Sequence, residues 1–339
     1  MLKTRGLTTL ALILALAAVL AASPALAAKT IRWQIDSGTA YSSRDDWCVV
    51  LLDEFADKVA QRTDGKFKIT ISIGGELGIK SGELPNAVSA GRIQGAVMAT
   101  GHIAGSFPFL NVYGLPFLFS NLEEGLKVHN AVEPIADREF RKKGFAPAAF
   151  YIMTPVGLWS KVDIPDLNNL DNLKVRCWDE TTANIVKTLG GVPIIMPVTE
   201  AYTALQRGVI QAVLTGAPAM LHISGHEICK YGYLINLAPA CVYLTYNLKA
   251  FDQLPEEYQD IFLEEAAVMA GKFVQAQPKE DNRSLDQMRE AGVELIKPSD
   301  EQMAELKKSV RPLWKTWMEE TGPLAQEAGQ AAMAAVGVE

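Results

Sequence analysis

A two-lobed α/β fold is predicted, each lobe a sheet flanked by helices, with one long helix spanning both. Three observations predict it. Strand and helix patterns alternate twice, once on each side of about residue 150. A helical run of about 35 residues follows Pro255, and at 1.5 Å per residue it reaches roughly 50 Å, more than one small domain is wide. The chain has 339 residues, enough for two domains.

The first half alternates as expected of an open sheet. Ile31–Asp36 has the period-two pattern of a strand. Ser42 or Ser43 is a candidate cap for a helix starting near Asp45, along which Trp47, Val50, Leu51, Phe55 and Val59 recur at helical spacing until Gly65. Phe67–Ile73 is a second strand, Leu84–Ala90 a short helix, and Ile93–Ala99 a third strand. The middle repeats the theme. Buried strands are read within Ala148–Ser160 and at Leu173–Arg176, a helix over Thr181–Leu189, strands at Val192–Met196 and Val209–Leu214, and a helix over Thr199–Gln206 between them. Pro255 suits the first turn of the long helix, which is read to about Ala291.

The N-terminus reads as an export signal: basic Lys3 and Arg5, a largely apolar run over Leu7–Leu20, and the small-residue cleavage site Ala25-Leu26-Ala27. An uncleaved anchor is the alternative, but the run falls short of the roughly 20 residues that span a bilayer. Without Lys3 and Arg5 the 32 basic residues fall to 30 against 39 acidic, a net charge of −9. That balance excludes nucleic acid and anionic lipid as partners, and any anion must be held by local positive charge. The four cysteines, Cys48, Cys177, Cys229 and Cys241, match neither a disulfide framework nor a zinc site. Cys229 and Cys241 could pair across a helix-to-strand connection, but buried thiols are the commoner fate of cysteines in a core.

Enzyme chemistry is thin. There is no nucleophile elbow and no phosphate loop, for Gly74–Gly78 lacks the lysine and hydroxyl that such a loop needs. His102 stands alone as a general base and reads better as a surface or capping residue. His222 and His226 have the i, i+4 spacing of zinc ligands, without a third ligand nearby. No catalytic residue, metal or cofactor is expected.

Between Pro165 and Pro255 the chain carries DLNNLDNLKVRCW (Asp166–Trp178), LGGVPIIMPVTEAYTALQRGVIQAVLTGAP (Leu189–Pro218), HEICKYGYLINL (His226–Leu237) and YNLKAFDQLPEEYQ (Tyr246–Gln259). With GGELG (Gly74–Gly78) and LPFLF (Leu115–Phe119) before them, this ordered set resembles the solute receptors of tripartite ATP-independent periplasmic (TRAP) transporters, the DctP-like family. The resemblance implies a periplasmic binding protein-like fold closing on one ligand. It also implies a monomeric receptor in the periplasm, and partners in the small and large membrane subunits of a permease driven by an ion gradient. A ligand sensor for a membrane kinase is the alternative. The lobes are expected at residues 28–153 plus 242–280 and at 154–241 plus 281–339, after a signal peptide at 1–27, with hinges near 150–155 and 240–245.

The resemblance places a ligand-holding arginine at Arg176, in Lys174-Val175-Arg176. A planar guanidinium matches two carboxylate oxygens with parallel charge-assisted bonds. It places further contacts at Thr215, where relatives often carry asparagine, and at Thr100. Asp36 ends the first strand as a candidate lining residue or a loop cap, Arg44 is a candidate second positive charge or part of a solvated helix start, and Trp159 and Trp178 are candidate apolar walls or ordinary core. Tyr202 and Leu205 read as structural. The stretch Thr154–Trp159 lacks the extra arginine of sugar-acid relatives. That points to a small ligand with one main anionic group: a short carboxylate, a keto or hydroxy acid, or a sulfonate such as isethionate.

Overall fold

The computed structural model describes residues 30–38 and 43–338. The signal-peptide expectation and the Ser42 cap lie outside them. Eleven strands form two mixed sheets among these residues. The first has the order β2-β1-β3-β10-β4, from Ile31–Asp36 (β1), Phe67–Ser72 (β2), Gly95–Ala99 (β3), Phe145–Ile152 (β4) and Cys241–Asn247 (β10). The second has the order β11-β9-β5-β8-β6-β7. Its strands are Val156–Ser160 (β5), Lys174–Cys177 (β6), Val192–Ile195 (β7), Ala212–Gly216 (β8), Tyr231–Tyr233 (β9) and Glu294–Ile296 (β11). Both sheets have helices on their two faces.

The helices are Trp47–Arg62 (α1), Leu84–Ser89 (α2), Thr100–Ile103 (α3), Leu122–Lys142 (α4), Glu180–Thr188 (α5), Ala201–Gln206 (α6), Ala217–His222 (α7), Leu248–Phe251 (α8), Glu256–Glu290 (α9), Asp300–Val310 (α10), Pro312–Thr321 (α11) and Pro323–Ala335 (α12). Helix α1 starts later than the serines suggested. Asp46 is its cap, its carboxylate accepting from the Cys48 N–H at 2.8 Å. The run read as one buried strand within Ala148–Ser160 is two, β4 and β5, in different sheets, parted at Met153-Thr154-Pro155.

Each sheet separates two apolar cores. Trp33, Ile35, Leu52, Phe67, Phe262 and Phe273 fill one side of the first sheet, while Met98, Phe107, Tyr113, Phe140 and Tyr243 fill the other. In the second lobe, Leu158, Val175, Cys177 and Leu214 lie on one side, with Trp159, Leu205, Val213 and Met288 on the other. Residues 281–339, expected with the second lobe, divide between the two. Leu306 and Val310 join the second lobe's core, whereas Trp314, Ala328 and Ala332 join the first lobe's, with α12 on α4.

Among the described residues the chain crosses between lobes four times: at 153–155, at 234–240, along α9 and between Val310 and Trp314. The first two crossings lie side by side, the Met153 N–H donating to the Ala240 carbonyl at 2.9 Å. The second falls just before the expected 240–245. Helix α9 has the expected 35 residues but runs through Pro278, which the reading of an uninterrupted run passed over. The LPFLF segment adds a non-covalent tie. The Phe117 N–H donates to the Leu237 carbonyl at 2.8 Å, and the Asn236 side chain to the Ser120 carbonyl at 2.8 Å. Phe117 holds φ +58°, an unusual conformation for a bulky residue.

Of the two readings of the cysteines, the structure has buried thiols and no Cys229–Cys241 pair. Among the described residues none of the four cysteines forms a disulfide and all are buried, with Cys229 in a second-lobe core and Cys241 in a first-lobe core. The two histidines do not share a helix face either, because α7 ends at His222 and Ser224 turns left-handed at φ +55° before His226.

Candidate interlobe binding site

Strand order marks a candidate site. In an open parallel sheet, ligands lie beyond the carboxyl ends of strands whose connections leave in opposite directions. In the first sheet that point falls between β1 and β3, which pair in parallel through Ile35–Gly95 and Asp36–Ala96. In the second it falls between β6 and β8, parallel through Val175–Ala212 and Arg176–Val213. Asp36 ends β1 and Thr100 follows β3. Arg176 and Trp178 stand at the end of β6, with Thr215 on β8. The two ends meet: the nearest atoms that a Cβ on Gly101 would encounter all belong to Trp178 and Asp179, and those near Gly114 belong to Thr181.

Arg176 is 4% exposed. Its strand neighbours Val175 and Cys177 enter the core on one face, so the guanidinium leaves by the other. Its Nε donates to the Met196 carbonyl at 2.9 Å and Nη1 to the Leu214 carbonyl at 3.2 Å. Neither bond uses Nη2. No carboxylate among the described residues forms a salt bridge with it, and burial lowers its pKa to about 10, against opposing contributions from Cys177 and Asp179. A buried cation bonded only to carbonyls is an electrostatic deficit that an anion would relieve.

The other expected residues divide. Thr100 and Thr215 are buried at the two strand ends. Asp36 is 1% exposed; Oδ1 accepts from the Gly38 N–H at 2.8 Å, and Oδ2 has no hydrogen-bond partner. Burial raises its pKa, and Glu76 adds to that rise after the Gly38 bond has partly offset it. Trp178 is partly buried beside Gly101. Trp159 belongs to the core instead. It is 1% exposed, lies against Gly232, and donates Nε1–H to the Thr215 carbonyl at 2.8 Å, so it supports Thr215 from beneath. Arg44 bonds Asp53 at 3.0 Å and the Ile71 carbonyl at 2.6 Å, with Glu76 4.0 Å away, so its charge is already answered. Tyr202 donates to Glu227 at 3.0 Å, and Leu205 is core.

Two residues stand closer to the site than the sequence suggested. His102, expected at the surface or as a cap, is partly buried. Burial lowers its pKa, Asp179 opposing the shift and Arg176 adding to it. Asp179 was not foreseen at all. Its carboxylate caps α5, accepting from the Thr182 N–H and hydroxyl, each at 2.8 Å, and burial raises its pKa against those bonds. The D-x-x-T spacing signals a helix cap, but nothing local in it indicates Gly101 across the cleft. No metal-binding cluster occurs among the described residues, nor any helix long and apolar enough to cross a membrane.

The model of the bacterial extracellular solute-binding proteins, family 7 (DctP), matches residues 39–321. The 2,3-diketo-L-gulonate-binding periplasmic protein YiaO of Escherichia coli is 27% identical over 307 residues, covering 88% of this chain and 89% of its own. Among solved structures, the Bordetella pertussis extracytoplasmic solute receptor DctP7, which binds pyroglutamic acid, superposes with a TM-score of 0.82 at 21% identity, over 89% of this chain and 99% of its own. The sugar acid binding protein DctPAm of Advenella mimigardefordensis, in complex with galactonate, gives 0.81 at 22% identity, over 91% and 99%. Both structural likenesses establish the two-lobed fold.

Proposed function

From the chain's membership of family 7 of the bacterial extracellular solute-binding proteins, which makes it a binding protein and not an enzyme, we propose that it captures a small organic acid on Arg176 between its lobes. The observation that carries this reading is the buried guanidinium without a counterion. Two of its donors hold backbone carbonyls and fix the plane of the group, while Nη2 remains for ligand oxygens. Thr215 and Thr100 supply hydroxyls from opposite lobes, Asp36 a carboxylate and Trp178 a flat apolar wall. Trp159 and Arg44 drop out of the contact set for the reasons of packing and pairing given above.

The acids named for the relatives, diketogulonate, pyroglutamate and galactonate, each carry one carboxylate, which supports a monocarboxylate over a sulfonate for this chain. The missing arginine in Thr154–Trp159 supports the same single anionic group. The loaded receptor delivers its acid in the periplasm, after removal of the signal peptide, to the small and large membrane subunits of a TRAP permease.

Thermal unfolding of the purified chain against keto, hydroxy, lactam, sugar and sulfonic acids tests the reading. An acid at 100 times its Kd adds about 2.7 kcal/mol and raises Tm by roughly 5 °C. Silence from every acid, with the protein shown to be free of carried-over ligand, refutes it.

A further inference from the structure

Gly101 is the second residue of α3, reached directly from β3, and its backbone is ordinary for any amino acid. A Cβ there would overlap Asp179 Oδ2 and stand 3.4 Å from both the Asp179 Cγ and the Trp178 Nε1. Those are the three nearest atoms, and all belong to the other lobe. The carboxylate is not a loose side-chain end free to swing aside, because Thr182 holds it with two bonds of 2.8 Å. We propose that Gly101 is the residue that permits full closure: its missing side chain seats the first lobe on the Asp179 carboxylate, and any larger residue props the lobes apart. Closure matters only if the protein traps a ligand between its lobes, so the inference rests on that reading for its purpose, though not for its test.

Gly114 and Thr181 report the contact without any ligand. A Cβ on Gly114 would lie 3.6 Å from the Thr181 Cβ, within the roughly 3.5–4.5 Å that a disulfide spans. A Gly114→Cys/Thr181→Cys protein is treated with diamide, and cross-linking is followed by mass and by mobility on a non-reducing gel. The pair is expected to cross-link within minutes. Adding Gly101→Ala is expected to slow the reaction at least tenfold while leaving the circular-dichroism melt of the reduced protein in place. Adding Asp179→Ser as well restores the rate, since serine still caps α5 but removes the carboxylate tip. Equal rates with and without Gly101→Ala overturn the proposal, as does a parent pair that does not cross-link. Acid binding by the wild type together with equal rates sinks this proposal alone. Cross-linking as expected with no acid bound sinks only the anion reading.

Discussion

The side-chain amide of Gln277, buried in the middle of α9, donates to the carbonyl of Met153 at 3.1 Å, tying the long helix to the first interlobe crossing. Pro278 follows it and cannot donate a backbone N–H, so the helix is weakest where this side chain grips the crossing. Gln277→Leu leaves the Met153 carbonyl short of that donor and is expected to cost about 1–3 kcal/mol. Urea unfolding measures it, and an unchanged midpoint refutes the role.

Arg176→Ala is expected to weaken binding of any acid that stabilises the wild type by 2 kcal/mol or more, roughly 30-fold. Arg176→Lys keeps the charge but cannot hold the Met196 and Leu214 carbonyls while forking onto a carboxylate, so it is also expected to lose at least tenfold. Titration calorimetry measures both. Wild-type affinity in the alanine variant removes Arg176 from the site.

His129 gives the first lobe a pH dependence. Its ring stacks on Phe150 at 3.7 Å, and burial depresses its pKa from 6.5 to about 4. The folded state therefore binds fewer protons than the unfolded state, and the contribution is complete above pH 6.5 and lost as pH falls towards 4. The loss amounts to about 2 kcal/mol by pH 5. Asp281, raised to about 6 by burial, acts in the opposite sense, favouring the fold at low pH. The effect of His129 is therefore read as the difference between wild type and His129→Gln. That difference should shrink between pH 7 and pH 5, and a constant gap contradicts the assignment.

The four cysteines should titrate with Ellman's reagent only after unfolding. Burial raises the pKa of Cys177 and Cys229 to about 12, leaving almost no thiolate at neutral pH. Rapid reaction of the native protein, or a mobility shift on reduction, contradicts this.

Much of the fold was legible because its signals are local. Period-two strands, Pro255 before a helical run, and the glycines after Leu189 and Gln206 each mark an element through backbone chemistry a few residues wide. Helix α4 was passed over; Pro134 lies inside it, and its apolar stripe has meaning only against β4 and α12. The cap of α1 was misplaced because serine and aspartate compete for the same role, and only the Asp46–Cys48 bond decides between them. At the site, Arg176 was legible through the family resemblance of Lys174-Val175-Arg176 and not through a local pattern. Trp159 and Trp178 looked alike in sequence, since exposure of an indole depends on which strand face the pleat assigns it. Asp179 and Gly101 lie 78 positions apart, and no local pattern links them.

The division of residues 281–339 between the lobes has a consequence for how the chain comes to be folded. The first sheet, which begins at Ile31, lacks its inner strand until Cys241–Asn247 has been made, and its core lacks Ala328 and Ala332 until α12 has been made. A sheet opened early in the described chain is thus completed by segments about 200 to 300 positions later. Loss of a dozen residues at the C-terminus would fall hardest on the lobe at the opposite end of the sequence.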